Sequence, residues 1–82
     1  MKNELMTMLI AMYHDGREAV EVLADKNKAQ DLLDLLTYVN EVSTNDYVGD
    51  LLKATTDFLK YGNWGALERF QKYLDRVVHE GV

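Results

Sequence analysis

The chain has 82 residues, a net charge of −5, no cysteine and no proline. This length predicts one domain, residues 1–82, and the lack of cysteine excludes disulfides and thiolate metal sites. No apolar run reaches the roughly 18 residues of a membrane span. Lys2 precedes an apolar run of signal-peptide length, but the cleavage site expected after it is missing, so we expect a cytoplasmic protein without membrane contact.

The segment from Leu5 to Tyr13 is more apolar than one face of a surface helix requires. Wound as a helix, its apolar side chains cover roughly 200°, whereas a surface helix needs a stripe of about 100°. The core-facing stripe consists of Leu5, Leu9, Met12, Gly16, Ala19 and Leu23. The remaining apolar residues, Met6, Ile10 and Tyr13, are therefore predicted to contact a partner or a second copy.

Whether Gly16 breaks this first helix decides the helix count. The apolar stripe keeps its phase through Gly16, which favours one long helix from Asn3 to Asp25, with Gly16 admitting another helix closely. The alternative is a turn at His14-Asp15-Gly16 that divides this segment into two short helices.

Capping residues predict three further helices. Asn27 can begin a helix over Lys28 to Val42, and Ser43 with Asp46 three residues later can begin one over Thr44 to Tyr61. Gly62 then serves as a left-handed stop, and Asn63 caps a last helix over Trp64 to Glu80. Their expected core residues are Ala29, Leu32, Leu33, Leu36, Val39, Val48, Leu51, Leu52, Thr55, Phe58, Leu59, Leu67, Phe70, Leu74, Val77 and Val78.

The short connections between these helices predict an all-α fold, a compact antiparallel four-helix bundle whose first helix is the longest. A bundle of this size buries a small core, and self-association is a common way to stabilise such a chain.

No catalytic or metal-binding signature is present in the sequence. His14 and Glu18 are four residues apart, but the Glu-x-x-His pairs of a di-metal bundle are missing, and His79 is explained by its place at a helix C-terminus. We therefore expect a protein that is not an enzyme and has no catalytic residues, metal or cofactor.

Two charged surfaces offer alternative functions. One is an acidic surface without any base between its first and last member: Asp31, Asp34, Glu41, Asp46 and Asp50. Because it repels phosphate, nucleic-acid binding is not expected, but it could mimic a nucleic acid and inhibit a target with a basic groove. The other is a basic cluster, Arg69, Lys72 and Arg76, which allows a helix-turn-helix protein that binds DNA.

Trp64 is the only tryptophan and stands between Gly62 and Gly65. It can be an exposed anchor for a partner, or, as we favour, a plug that packs on the end of the bundle. The sequence as a whole predicts a small acidic regulatory protein that binds another protein, as a homodimer through its first helix. Its candidate interface residues are Met6, Ile10, Tyr13 and Trp64.

Overall fold

A computed structural model describes residues 1–82 and shows five α-helices without any strand. They are α1 (Lys2–His14), α2 (Gly16–Ala24), α3 (Lys26–Val42), α4 (Asp46–Tyr61) and α5 (Trp64–Glu80). The expected all-helical fold is confirmed, whereas the expected count of four helices is wrong. The longest helices are α3 and α5, with 17 residues each, and not the first helix.

The first two helices are separated by a single residue, Asp15. Its backbone is extended, with φ −131° and ψ 106°, so the helix cannot continue through it. Its own N–H donates to the carbonyl of Ala11 and ends α1, while its carboxylate accepts a hydrogen bond from the Arg17 N–H at 2.9 Å and caps α2. The single helix from Asn3 to Asp25 is therefore divided, because this short acidic side chain satisfies the free N–H of a new helix.

Asp25 forms a second one-residue joint of the same kind. Its carboxylate accepts hydrogen bonds from the N–H groups of Asn27 and Lys28, at 2.9 and 3.1 Å. As a result α3 begins at Lys26, two residues earlier than predicted, and Asn27 lies inside the helix rather than at its cap.

The predicted cap of α4 was also wrong. Asn45, not Ser43, caps this helix by accepting a hydrogen bond from the Tyr47 N–H at 2.9 Å. Ser43 ends α3, and its hydroxyl accepts a hydrogen bond from the Asn45 N–H. At the next connection both predictions are confirmed, since Gly62 has φ 65° and Asn63 caps α5.

The molecule measures 28 × 21 × 19 Å, and α1 contacts α2, α3 and α5. Helices α4 and α5 form a helical hairpin, and α3 packs on α4. Most of the predicted core positions are buried, and Val22, Ala54 and Ala66 are buried without having been predicted. The buried core consists of Leu5, Leu9, Met12, Val22, Leu23, Ala29, Leu32, Leu36, Val39, Val48, Leu51, Ala54, Thr55, Ala66, Phe70, Leu74 and Val77.

Several predicted core positions lie nearer the surface. Leu33, Leu52, Phe58, Leu67 and Val78 are half-buried, and Leu59 is exposed. No helix combines the length and the apolar character needed to cross a lipid bilayer.

Candidate functional site

An apolar groove lies between the first two helices and α5, and we call it the α2–α5 groove. It encloses about 260 Å³ and is lined by Met12, Tyr13, Gly16, Ala19, Val20, Leu23, Leu67, Phe70, Gln71 and Leu74. Met12, Phe70 and Leu74 are buried core residues, so the floor of the groove is fixed by the core itself. The only amide side chain in the lining is that of Gln71.

Gly16 contributes to this groove by leaving space in it. A Cβ built on Gly16 would meet no atom within 4 Å, so no helix approaches this glycine closely. The prediction of a close helix contact at Gly16 is therefore wrong. The glycine that does admit a close neighbour is Gly49 of α4, where a Cβ would lie 3.0 Å from Oδ1 of Asn40.

Val20 forms an exposed wall of the groove. Its side chain is 66% exposed, although valine is usually buried. On one continuous helix Val20 falls about 60° from Leu5, just outside the core-facing stripe, so periodicity gave no reason to single it out. It follows Gly16 by four residues and shares its face of α2.

Trp64 extends this apolar surface at the start of α5. It is 79% exposed, so the prediction that it plugs the end of the bundle is wrong. Its neighbours explain the exposure: Trp64 is the first residue of the helix and Gly65 follows it, so no adjacent side chain covers its ring. It precedes Leu67 by three residues and Gln71 by seven, which places it on the side of α5 that lines the groove.

The other candidate interface residues differ in their burial. Ile10 and Tyr13 are 40% and 39% exposed. They are three residues apart and therefore lie on one side of α1. Met6 is half-buried and packs against the core, so it offers less surface to a partner than was expected.

Tyr13 joins the end of α1 to α5. Its ring is close to perpendicular to the rings of His14 and His79, with centroids 5.3 and 5.4 Å away. A side-chain hydrogen bond to Asp75 raises the pKa of Tyr13, and desolvation and the charge of Asp75 act in the same direction. The Nδ1 atom of His79 in turn lies 3.4 Å from the carboxylate of Asp75. One edge of the α2–α5 groove is thus held by side-chain contacts.

Both signs of charge lie beside the groove on the α2 side, where Asp15, Arg17 and Glu21 line a shallow depression with Gly16 and Val20. Arg17, on α2, is exposed and stands next to Gly16. On α5, Glu68 follows Trp64 by one helical turn, and Asp75 contacts Tyr13.

The five acidic residues predicted to form a surface, Asp31, Asp34, Glu41, Asp46 and Asp50, are all exposed. The first three lie on α3 and the last two on α4. Asp31 and Asp34 line a shallow depression with Glu4, Met8 and Leu35, between α1 and α3.

The three basic residues predicted for DNA binding lie beside side chains of their own fold. Arg69 is 3.9 Å from the carboxylate of Asp57 on α4. The other two lie over aromatic rings: Arg76 over Tyr47 at 5.8 Å, and Lys72 over Tyr73 at 5.7 Å. Of the three, only Arg69 lies beside an opposite charge, since an aromatic ring does not neutralise the cation above it.

No three His, Cys, Asp or Glu side chains are arranged to hold a metal ion, and His14 and His79 are exposed. Every buried side-chain nitrogen or oxygen atom has a hydrogen-bond partner. Comparison with protein-family models, curated proteins and solved structures finds no match to this chain.

Proposed function

We propose that this chain is a helical protein-interaction module of regulatory type that acts as a homodimer and not as an enzyme. The observation that carries the proposal is the exposure of large apolar side chains in and beside the α2–α5 groove. Tyr13 and Val20 line the groove, and Ile10 and Trp64 lie on the same helix sides as lining residues. Exposed apolar side chains that adjoin one another are typical of binding surfaces, whereas scattered ones are not.

The size of the molecule is compatible with this use. A stable interface buries about 800 Å² on each partner. The chain exposes 5215 Å², so such an interface would cover one of its broad faces. An 82-residue fold also gains stability from association, because its own core is small.

The proposal concerns binding because the polar side chains offer no reaction centre. The acidic residues are solvated, and no buried polar atom lacks a partner. Reactive sites usually contain polar groups that are desolvated or unpaired before the substrate arrives.

The experiment is to measure molar mass by light scattering over a range of concentrations. We expect the mass to rise from that of one 9.4 kDa chain to twice this value. Val20→Glu should shift the transition to higher concentration, because it places a charge in the apolar surface. Val42→Glu is the matched control, since Val42 is also exposed but lies on α3, away from the groove. Helicity from circular dichroism should be unchanged in both variants.

Two results would contradict the proposal. One is a mass of a single chain at every concentration. The other is an equal effect of Val20→Glu and Val42→Glu, because the binding surface would then not be the groove face.

A second candidate function rests on the exposure of all five residues of the acidic surface, which suits an inhibitor that occupies a basic groove on its target. Binding to a basic test protein should then weaken steeply with added salt. Reversing the charges of Asp31, Asp34, Asp46 and Asp50 should abolish it. Binding that survives these four changes would rule out the acidic surface.

A further inference from the structure

We propose that the joint at Asp15 allows two copies of this chain to exchange α1. In the exchanged form α1 and α2 become one continuous helix, and α1 of each copy fills the place that α1 of the other has left. The inference goes beyond the function proposed above, because it does not involve the α2–α5 groove.

The first argument is that the apolar stripe keeps its direction where the chain turns. On one continuous helix, at about 100° per residue, the stripe residues on both sides of the joint fall within about 40° of Leu5: Leu9, Met12, Ala19 and Leu23. Two helices that meet at an extended residue have no need of a common phase, because each turns its own face to the core. A continuous helix needs this phase to bury both halves on one side.

The second argument concerns the backbone hydrogen bonds that the joint interrupts. In an α-helix each N–H donates to the carbonyl four residues earlier. Asp15 still donates to Ala11, and Ala19 still donates to Asp15. The three N–H groups between them have no backbone partner, and only that of Arg17 is bound, by the Asp15 carboxylate. A continuous helix would therefore add three backbone hydrogen bonds and remove one side-chain hydrogen bond.

The third argument is that an exchanged α1 needs no new binding surface. Leu5, Leu9 and Met12 are buried in the core, where α1 contacts α3 and α5. The α1 helix of a second copy carries the same three side chains and restores the same contacts. Only the joint changes its conformation, and for this reason the exchange of an element is a low-cost route to a dimer.

The joint at Asp25 lacks the common phase and provides an internal comparison. If α2 continued into α3 as one helix, the buried residues of α3 would all lie about 120° to 180° from Leu23: Ala29, Leu32, Leu36 and Val39. Such a helix would turn the core face of α3 away from the stripe. Exchange is therefore expected through the Asp15 joint and not through the Asp25 joint.

The test is to trap α1 where it lies. The chain has no cysteine, so Glu4→Cys and Asp31→Cys together supply its only two thiols. Glu4 of α1 and Asp31 of α3 line one depression, so a short bismaleimide should link them within one chain when α1 has not been exchanged. In the exchanged form the two thiols belong to different chains, and the link yields a covalent dimer on a denaturing gel.

The protein with these two thiols is unfolded in urea, refolded at high or at low concentration, diluted and then crosslinked. We expect covalent dimers after refolding at high concentration and single chains after refolding at low concentration. A dimer that forms only through the groove keeps each α1 in its own chain and therefore gives single chains on the gel.

Asp15→Ala should lower the refolding concentration that gives half covalent dimer by about twentyfold, because the lost cap counts about fivefold in each of the two joints. Gly16→Ala should lower it several-fold, since alanine favours a helix interior and its Cβ would meet no atom within 4 Å. Asp25→Ala is the matched control. It removes the cap with two hydrogen bonds, yet it should leave the yield of covalent dimer at the wild-type level.

Two results would overturn the exchange. One is that the wild type, Asp15→Ala and Gly16→Ala all give single chains at every refolding concentration, which leaves the groove homodimer to its own mass measurement. The other is that Asp25→Ala forms as much covalent dimer as Asp15→Ala, because the exchange would then follow from a general loss of stability and not from the Asp15 joint.

Discussion

The side-chain amide of Asn45 donates a hydrogen bond to the carbonyl of Gly81 at 2.6 Å and so ties the start of α4 to the end of α5. The same side chain caps α4 through its oxygen. Next to it, the Ser43 hydroxyl donates to the carbonyl of Val82 at 3.2 Å. Side-chain hydrogen bonds therefore hold the turn between α3 and α4 against the end of α5. Asn45 uses its side-chain amide to bond Gly81 and its side-chain oxygen to cap α4.

We expect Asn45→Ala to lower the free energy of unfolding by about 2 kcal/mol, because it removes a cap and a tertiary hydrogen bond together. Asn63→Ala is the matched control, since Asn63 caps α5 by accepting a hydrogen bond from the Ala66 N–H and makes no second one. Its expected cost is about 1 kcal/mol. Urea unfolding of both variants measures the difference, and equal costs would show that the bond to Gly81 adds nothing.

Tyr13→Phe should change how stability depends on pH. The hydrogen bond to Asp75 raises the pKa of Tyr13 above its ordinary value of 10.0. The folded state thus holds the phenol proton more tightly than the unfolded state does. This contribution to stability is present below the ordinary pKa and is lost as the pH rises through the raised one.

The stability difference between wild type and Tyr13→Phe should therefore shrink from about pH 8 to about pH 11. Urea unfolding at both pH values provides the measurement, and the other ionisable groups are common to both proteins. A difference that is constant with pH would contradict the bond to Asp75.

Gly49→Ala should reveal the close packing of α3 on α4. Alanine is favoured over glycine inside a helix by about 1 kcal/mol. The new Cβ would meet Oδ1 of Asn40 at 3.0 Å, so we expect the gain to be partly offset in the wild-type background. In an Asn40→Ala background the full gain should appear. A double-mutant cycle from thermal unfolding measures the coupling, and additive effects would show that Asn40 moves aside freely.

Asp25→Ala should cost more stability than Asp15→Ala. Asp25 accepts two backbone hydrogen bonds and Asp15 accepts one. Each loss of a cap costs about 1 kcal/mol, with the double acceptor at the upper end. Chemical unfolding of the two variants provides the test, and a larger cost at Asp15 would contradict this ranking.

The sequence could predict the helical class and much of the core because these depend on apolar periodicity. Positions such as Leu36 and Phe70 recur on one face of their helices and are buried as expected. Gly62 and Asn63 were predicted correctly because a left-handed stop follows from the missing Cβ of glycine, and a cap follows from the short amide side chain of asparagine. Periodicity failed at Asp15, where one extended residue ends a helix while the apolar stripe continues in phase beyond it.

The candidate site was only partly predictable for a related reason. Ile10 and Tyr13 stood out because they exceed what one helix face can bury. The groove itself depends on how α2 lies beside α5, and this direction is set by the backbone at Asp15. The same applies to Trp64, because tryptophan is common both in packed cores and at exposed binding surfaces. Its exposure follows from its place as the first residue of α5.

The joints at Asp15 and Asp25 have a consequence for motion. Between them α2 has only nine residues, fewer than the roughly 12 to 15 that an isolated helix needs to persist in water. It is held by its caps and by the burial of Val22 and Leu23. The amides of α2 should therefore exchange with deuterium sooner than those of α4 and α5, through local opening. Each opening would remove one wall of the groove and expose the sides of Met12 and Phe70.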